Sequence, residues 1–226
     1  ESADKIEKFL KESNKKTIGN NLNESILNDT YSVFVERYDN ENGGFGTQPK
    51  FPSPQNIIYL LRYHKMTGNK TALEMAEKTL INMRMGGIYD QLGFGFHRYS
   101  TDKNWLVPHF EKMLYDQAML SIAYTEAYHL TKKDIYKKIA IEILTYIKRD
   151  LTDSRGGFYS AEDADSEGEE GTFYIWSLEE LSILGKSEKD LSIKYFNLED
   201  EGNYLDESTR KKNGKNIFHI KSLNNI

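Results

Sequence analysis

The sequence predicts an all-α protein built from stacked α-hairpins, with one small β-hairpin near residues 157–176. Two observations lead to this prediction. Apolar residues recur at steps of three and four over most of the chain, as on the buried face of a helix. A Gly-Gly turn follows a predicted helix three times, at residues 43–46, 86–89 and 156–159, and two predicted helices separate consecutive turns. A repeated unit of two helices and a turn is typical of stacked hairpins.

The first half of the chain carries three helices of this kind. Residues 1–21 are predicted to be a short helix and a polar linker, and helical spacing begins at Leu22 and stops before residue 42. Ser53 followed by Pro54 predicts the next helix start, because proline is favoured in the first turn. Residues 71–74 read TALE, a capping box that predicts the start of the third helix.

The second half repeats the pattern and then changes character. Helical spacing predicts helices over residues 109–130 and 134–151. Residues 158–176 alternate aromatic and acidic groups, which favours a β-hairpin with its tip at 167–171. After the hairpin, we expect a capping box and short helix over 177–184, a helix over 187–196 and a strand at 217–220.

Composition excludes several classes of protein. The 226 residues carry a net charge of −5, which argues against a nucleic-acid-binding face. The chain contains no cysteine, so disulfides, thiol nucleophiles and thiolate metal sites are excluded within it, and a reducing, cytoplasmic location is expected. No apolar run approaches the roughly 20 residues that span a bilayer. Because the chain begins with Glu, we expect a fragment of a longer protein.

Three long motifs resemble a known family. GGFGTQPKFPSP (residues 43–54), GGIYDQLGFGFHRYSTDKNWLVPHFEKMLYDQ (86–117) and GGFYSAEDADSEGEEGTFYIWS (156–177) are similar to the YyaL-like family of thioredoxin-domain-containing proteins, which includes the mammalian spermatogenesis-associated member. The resemblance covers the chain from about residue 22, and the closing residues 202–220 also match.

The resemblance implies the fold and the domain organisation. Members of this family have a thioredoxin-like domain followed by a six-hairpin α/α toroid, similar to N-acylglucosamine 2-epimerases and six-hairpin glycosidases. We therefore expect residues 1–21 to be a linker after an absent thioredoxin-like domain, and residues 22–226 to be an incomplete toroid of three to four hairpins. The absent domain and the rest of the toroid are the expected protein partners. The resemblance implies no settled reaction.

The segment 86–117 is the main candidate for a functional site. His97 and His109 are the leading acid–base candidates, because an imidazole exchanges protons near neutral pH. The related sugar 2-epimerases use a pair of histidines in this way. If His109 opens a helix, Lys112 and Asp116 lie on its face, and Asp116 is either part of a proton relay or an ion-pair partner of Lys112. The alternative is that each histidine satisfies a buried backbone group.

Carboxylates on the predicted β-hairpin form a second candidate set. Glu162 and Asp163 suit either a supporting catalytic role or paired-carboxylate glycoside hydrolysis, and an exposed polar turn is the alternative. Residues 163–168 resemble the start of a calcium loop, but the twelfth position is Tyr174 rather than the required Glu, so no metal is expected.

The remaining candidates are substrate-binding residues around the Gly-Gly turns. Aromatic rings in this region could stack on a sugar, although such rings are often the local core of a loop. Arg98 and Asp102 form either substrate contacts or an ion pair that holds the loop. The substrate-binding candidates are Lys50, Tyr89, Arg98, Tyr99, Asp102 and Trp105.

Three functional hypotheses follow. The first is an enzyme that acts on a carbohydrate-like substrate without a cofactor, with isomerase or epimerase chemistry preferred over hydrolysis. The second is a non-catalytic toroid that presents ligands or clients to a thioredoxin-like domain. The third is a purely structural part of a toroid.

Overall fold

The computed structural model describes residues 2–13, 23–205 and 211–223. Seven helices lie in this part of the chain: α1 (Ser2–Ser13), α2 (Ser25–Arg37), α3 (Pro54–Thr67), α4 (Lys70–Met85), α5 (Leu114–Thr131), α6 (Asp134–Asp150) and α7 (Lys186–Tyr195). Its eight short strands are β1 (Tyr99–Ser100), β2 (Pro108–His109), β3 (Lys112–Met113), β4 (Ala161–Glu162), β5 (Asp165–Ser166), β6 (Glu169–Glu170), β7 (Ile175–Ser177) and β8 (Lys215–Ile217). The predicted all-α hairpin architecture is confirmed.

Two hairpins form the main core. α3 packs against α4, α5 packs against α6, and α3 also packs against α5. Fully buried aliphatic side chains fill the space between these helices, among them Leu60, Leu80, Leu120 and Ile143. Each such side chain contributes about 1.5–3 kcal/mol when it leaves water, so the inter-helix core holds the loops at the ends of the hairpins in place.

Every strand pairs in a two-stranded antiparallel sheet, and two of the four sheets, β3–β4 and β7–β8, join distant parts of the chain. β1 pairs with β2, β3 with β4, β5 with β6 and β7 with β8. Of the β-hairpin expected over 157–176, the tip is formed by β5 and β6, with Glu167 and Gly168 in the turn. Its flanks pair elsewhere: β4 with β3, and β7 with β8.

The prediction of a helix over residues 109–130 is wrong at its start, because α5 begins at Leu114. His109 lies in β2 and Lys112 in β3, so these residues and Asp116 do not share a helix face. Backbone groups of residues 109–114 form hydrogen bonds with other segments instead. The carbonyl of Glu111 accepts the N–H of Arg98 at 2.8 Å, and the N–H of Leu114 donates to the carbonyl of Ser160 at 2.9 Å. Helical periodicity cannot reveal such partners.

Of the two predicted capping boxes, the one at residues 71–74 is wrong and the one at residues 177–180 is present. Asn69, not Thr71, caps α4, and its side chain accepts the N–H of Ala72 at 3.1 Å. The second box is confirmed, since the carboxylate of Glu180 accepts the N–H of Ser177 at 2.6 Å, although only a short 3-10 helix, Glu180–Ile183, follows it.

A repeated turn connects the hairpins, and its second copy lies at residues 90–95 rather than at the predicted residues 86–89. In each turn an Asp N–H donates to a glycine carbonyl four or five residues later, and the Asp side chain accepts the N–H two residues after it. These pairs are Asp39 with Gly44, Asp90 with Gly95, and Asp153 with Gly157. Gly95, rather than Gly86-Gly87, is therefore the counterpart of Gly44. Gly86 and Gly87 serve close packing instead, since a Cβ on either would lie 2.2 Å or less from a backbone oxygen of residues 105–106.

Candidate functional site

His97 is a buried residue with a defined tautomer. Its side chain is almost fully enclosed, and Nδ1 lies 3.0 Å from the carbonyl oxygen of Phe110. Because a carbonyl can only accept, Nδ1 carries the proton and Nε2 is left as an acceptor. Burial, followed by the positive charge of Lys112, lowers the pKa of His97 to about 3. The imidazole is therefore neutral at physiological pH.

Lys112 is the charged centre beside His97. Its side chain is buried, and Nζ lies 2.8 Å from Oδ2 of Asp90 and 3.0 Å from the Phe94 carbonyl. The ammonium group also lies over the rings of Tyr146 and Tyr174. Burial alone would raise the pKa of Asp90, but the charge and hydrogen bond of Lys112 lower it below its usual value.

Glu162 faces Lys112 across the β3–β4 pair and is bound by two tyrosines. The hydroxyl of Tyr146 donates to Oε2 at 2.6 Å, and that of Tyr174 donates to Oε1 at 3.2 Å. Both carboxylate oxygens are thus hydrogen-bonded. Burial, strengthened by the negative charge of Glu162, raises the pKa values of both phenols far above their usual value.

A pocket of about 260 Å³ opens beside His97. One wall comes from the turn after α4, and the other comes from residues 173–176 and 217–218. Its lining side chains are mostly aromatic or aliphatic: Tyr89, Asp90, Gln91, Leu92, His97, Phe110, Arg149, Phe173, Tyr174, Trp176, Ile217 and Phe218.

His109 lies in a second group of polar side chains, which does not line this pocket. Nδ1 is 2.6 Å from Oε1 of Glu170, and Nε2 is 3.6 Å from Oε2 of Glu111. Arg98 forms an ion pair with the same Glu111 oxygen at 2.9 Å. The ring of Tyr99 stacks on the imidazole with centroids 4.9 Å apart. This group is open to water, since the His109 side chain is 24% exposed.

Asp116 completes what we call the His109 cluster: Arg98, Tyr99, His109, Glu111, Asp116 and Glu170. Asp116 is buried in the first turn of α5, and its Oδ2 accepts no hydrogen bond within the described part of the chain. Burial raises the pKa of this carboxyl to about 7, with Arg98 opposing the shift and Glu111 adding to it. Nε of Arg98 is likewise buried and without a hydrogen bond among the described residues.

Of the two alternatives for Arg98 and Asp102, an ion pair between them is wrong. Arg98 pairs with Glu111, whereas the carboxylate of Asp102 accepts backbone N–H groups of its own loop, including that of Val107 at 2.6 Å. Trp105 is completely buried, and its Nε1–H donates to the carbonyl of Asn42 at 3.0 Å. Both side chains therefore hold the loop: Trp105 as part of its local core, and Asp102 through backbone hydrogen bonds rather than through an ion pair.

The last three candidates each have a hydrogen-bond partner within the protein: Lys50, Tyr89 and Asp163. Lys50 is fully buried and donates to Asp39 and to two backbone carbonyls. The hydroxyl of Tyr89, also fully buried, donates to Glu142 at 2.6 Å. Asp163 is exposed and accepts the N–H of Asp165 at 3.2 Å. The structure therefore does not bring Glu162 and Asp163 into one paired-carboxylate site.

Sequence reasoning missed four members of these two groups: Asp90, Glu111, Tyr146 and Glu170. Glu170 meets His109 only through the β5–β6 turn, which leaves no local pattern, whereas Glu111 lies two residues from His109 in the chain. Asp90 did carry a signal, because Tyr-Asp precedes the glycine turn at both 38–39 and 89–90. Among the described residues, no group of three His, Asp or Glu side chains is arranged to hold a metal ion. In the same residues, no helix is long and apolar enough to cross a membrane.

Solved structures with a similar fold define the class of protein. A cellobiose 2-epimerase from Bacillus thermoamylovorans matches with a TM-score of 0.54 over 62% of this chain and 41% of its own, at 14% identity. A sugar epimerase from a ruminal bacterium matches with a TM-score of 0.55 over 70% of this chain and 46% of its own, also at 14% identity. At this identity the likeness establishes the fold alone: the chain is an incomplete α/α-hairpin toroid of the six-hairpin class.

Sequence relatives establish the family. No model of a known protein family matches the chain. Spermatogenesis-associated protein 20 from Homo sapiens is 41% identical over 219 residues, which are 87% of this chain and 28% of the human protein. The Mus musculus protein is 44% identical over 200 residues, covering 80% of this chain and 25% of the relative. The chain belongs to the family of spermatogenesis-associated protein 20 and spans about a quarter of the length of these relatives.

Proposed function

We propose that this part of the protein binds a carbohydrate-like substrate and catalyses proton transfer next to a carbonyl carbon, as sugar isomerases and epimerases do. The observation that carries the proposal is Asp116, a buried carboxyl group whose Oδ2 has no hydrogen-bond partner among the described residues, and burial raises its pKa to about 7, which suits proton exchange at physiological pH. A general acid or base works best when its pKa lies near the operating pH.

The His109 cluster supplies the other groups that such a reaction needs. Asp116 takes the proton from the carbon beside the carbonyl, and the electron pair moves onto the carbonyl oxygen. Arg98, 40% exposed at its side chain, stabilises the negative charge that develops on that oxygen. His109, held by Glu170, exchanges a proton with the same oxygen or returns one to carbon. The ring of Tyr99 offers an apolar surface to a sugar.

His97 has a different role in this scheme. With its pKa lowered to about 3, it is a weak base near neutral pH, and its Nδ1–H is committed to Phe110. We therefore assign the proton transfer to Asp116 and His109 rather than to the histidine pair. The names of the similarly folded cellobiose 2-epimerase and sugar epimerase support the choice of a carbohydrate-like substrate.

Deuterium exchange tests the reaction directly. The full-length protein is incubated in D₂O with D-mannose, D-glucose or cellobiose, and incorporation of deuterium beside the carbonyl carbon is followed by NMR. We expect Asp116→Asn and His109→Gln to lower the exchange rate by about 10²–10⁴-fold, the usual contribution of a general acid or base. His129→Gln is the matched control, because this exposed histidine lies at the far end of α5.

Two results would count against the proposal. Sugars that bind without any exchange would favour a non-catalytic binding toroid. Exchange that survives both substitutions would place the proton transfer outside the His109 cluster.

A further inference from the structure

The pocket beside His97 has a chemistry different from that of the His109 cluster. The two share no side chain, although the backbone N–H of Phe110, which lines the pocket, donates to Glu170 of the cluster at 3.2 Å. Phe110, Phe173, Tyr174, Trp176 and Phe218 give the pocket an aromatic lining. Its volume of about 260 Å³ is just below the roughly 300–1,000 Å³ range of drug-sized ligand sites, and so suits a single small ring.

Most polar side chains of the pocket already have partners. Asp90 accepts hydrogen bonds from Lys112 and from the N–H groups of Leu92 and Gly93. The amide nitrogen of Gln91 donates to the carbonyls of Arg84 and Gly86.

Arg149 is also engaged, through Nε and Nη2. It forms an ion pair with Asp150 and donates to the carbonyl of Gly93 at 2.6 Å. These contacts leave little hydrogen-bonding capacity for the many hydroxyls of a sugar, and the paired charges do not favour an ionic ligand.

His97 supplies a hydrogen-bond acceptor that these contacts leave free. It is 1% exposed and lines the pocket, its Nδ1–H is used by the Phe110 carbonyl, and Nε2 has no hydrogen bond within the described part of the chain. A neutral imidazole in this tautomer presents a single acceptor. The pocket therefore combines aromatic walls with one buried acceptor.

We propose that this pocket binds a small, uncharged aromatic ring carrying one hydroxyl or N–H group, which donates its hydrogen bond to Nε2 of His97. A phenol has this chemistry, whether as a free molecule or as the side chain of a tyrosine. The ring packs against the aromatic walls, and the hydroxyl satisfies the imidazole acceptor.

Fluorine NMR of the full-length protein tests the proposal with two matched probes. We expect 4-fluorophenol to bind, and 4-fluoroanisole, which lacks the donor, to bind about tenfold more weakly because one buried hydrogen bond is lost. The ¹⁵N resonance of His97 Nε2 should move upfield with 4-fluorophenol only. N-acetyltyrosinamide separates the two sources: binding tighter than that of 4-fluorophenol indicates a tyrosine side chain, and weaker binding indicates a free phenol.

Two exposed phenylalanines provide the matched variants. Phe173 lines the pocket and is 67% exposed, whereas Phe158 is 61% exposed and lies outside it. Both should tolerate replacement, and we expect Phe173→Ala to weaken 4-fluorophenol binding several-fold while Phe158→Ala leaves it unchanged. Equal affinity for the two fluorinated probes, equal effects of the two variants, or no binding at millimolar concentration would overturn the proposal.

Discussion

The ammonium group of Lys50 lies 2.5 Å from Oδ2 of Asp39, and the Lys50 side chain is completely buried. Nζ also donates to the carbonyls of Gly43 and Lys103, both at 2.9 Å, and lies over the ring of Trp105. Burial would raise the pKa of Asp39, but the hydrogen bond from Lys50 and those from the Asn42 and Glu41 N–H groups hold it far below its usual value. Lys50 thus ties the first glycine turn, at residues 39–44, to the loop that contains Lys103 and Trp105.

Removing Lys50 should destabilise the protein strongly. We expect Lys50→Met to lower the free energy of unfolding by about 3–5 kcal/mol, because Asp39 keeps a charge without its partner. Lys103→Met is the control, since its ion pair with Glu41 is exposed on both sides and is worth about 1 kcal/mol or less. Urea denaturation measures both, and similar losses for the two variants would refute the structural role of Lys50.

Alanine substitutions at Gly44 and Gly46 distinguish the energetic cost of steric overlap from that of backbone strain. Both have a positive φ near +80°, but a Cβ on Gly44 would lie 2.5 Å from the Trp105 ring, whereas one on Gly46 meets nothing within 4 Å. We expect Gly46→Ala to cost about 1–2 kcal/mol from strain alone. Gly44→Ala should cost roughly 2–5 kcal/mol, because overpacking is added to the strain. Thermal unfolding of the two variants gives the comparison, and equal costs would mean that Trp105 yields freely.

Asp116 should make the protein less stable as the pH rises. Its pKa of about 7 in the folded state lies above the value of 3.8 expected for the unfolded chain, so the folded state binds more protons between these values. The stabilisation is complete below about pH 4 and is lost by about pH 7. Asp116→Asn should therefore be more stable than the wild type at pH 8, by roughly 2–4 kcal/mol, and similar to it at pH 4. Denaturation at the two pH values checks this, and a difference that is independent of pH would contradict the assignment.

His97 should have the opposite pH dependence. Its folded-state pKa of about 3 lies below the unfolded value of 6.5, so the unfolded chain binds the extra proton and acid destabilises the protein. The loss begins below pH 6.5 and continues towards pH 3. Relative to the wild type, His97→Gln should lose up to about 3 kcal/mol less on acidification from pH 7 to pH 4. Unchanged acid sensitivity in this variant would show that His97 titrates normally.

The two helical hairpins could be predicted because their information is local. α3, α4 and α6 match the spacing of Leu60, Leu80 and Ile143 on their buried faces, and the glycine turns between hairpins are visible as short repeats. The toroid class followed from the motifs that resemble the YyaL-like family. The roles of single residues were harder to predict. Trp105 could have stacked on a sugar or formed the core of its loop, and the second role depends on a contact with Asn42 in a distant turn.

The hairpin architecture, the family and the region in which the polar residues concentrate are all visible in the amino-acid sequence. How those residues are grouped depends on contacts that form only on folding. Strand pairing moved His109 off the helix and joined it to Glu170, 61 positions away, while His97 was enclosed with Phe110 in a separate pocket. The physical reason is that helices form from contacts between residues three or four apart, whereas burial and charge pairing depend on segments that meet only after folding.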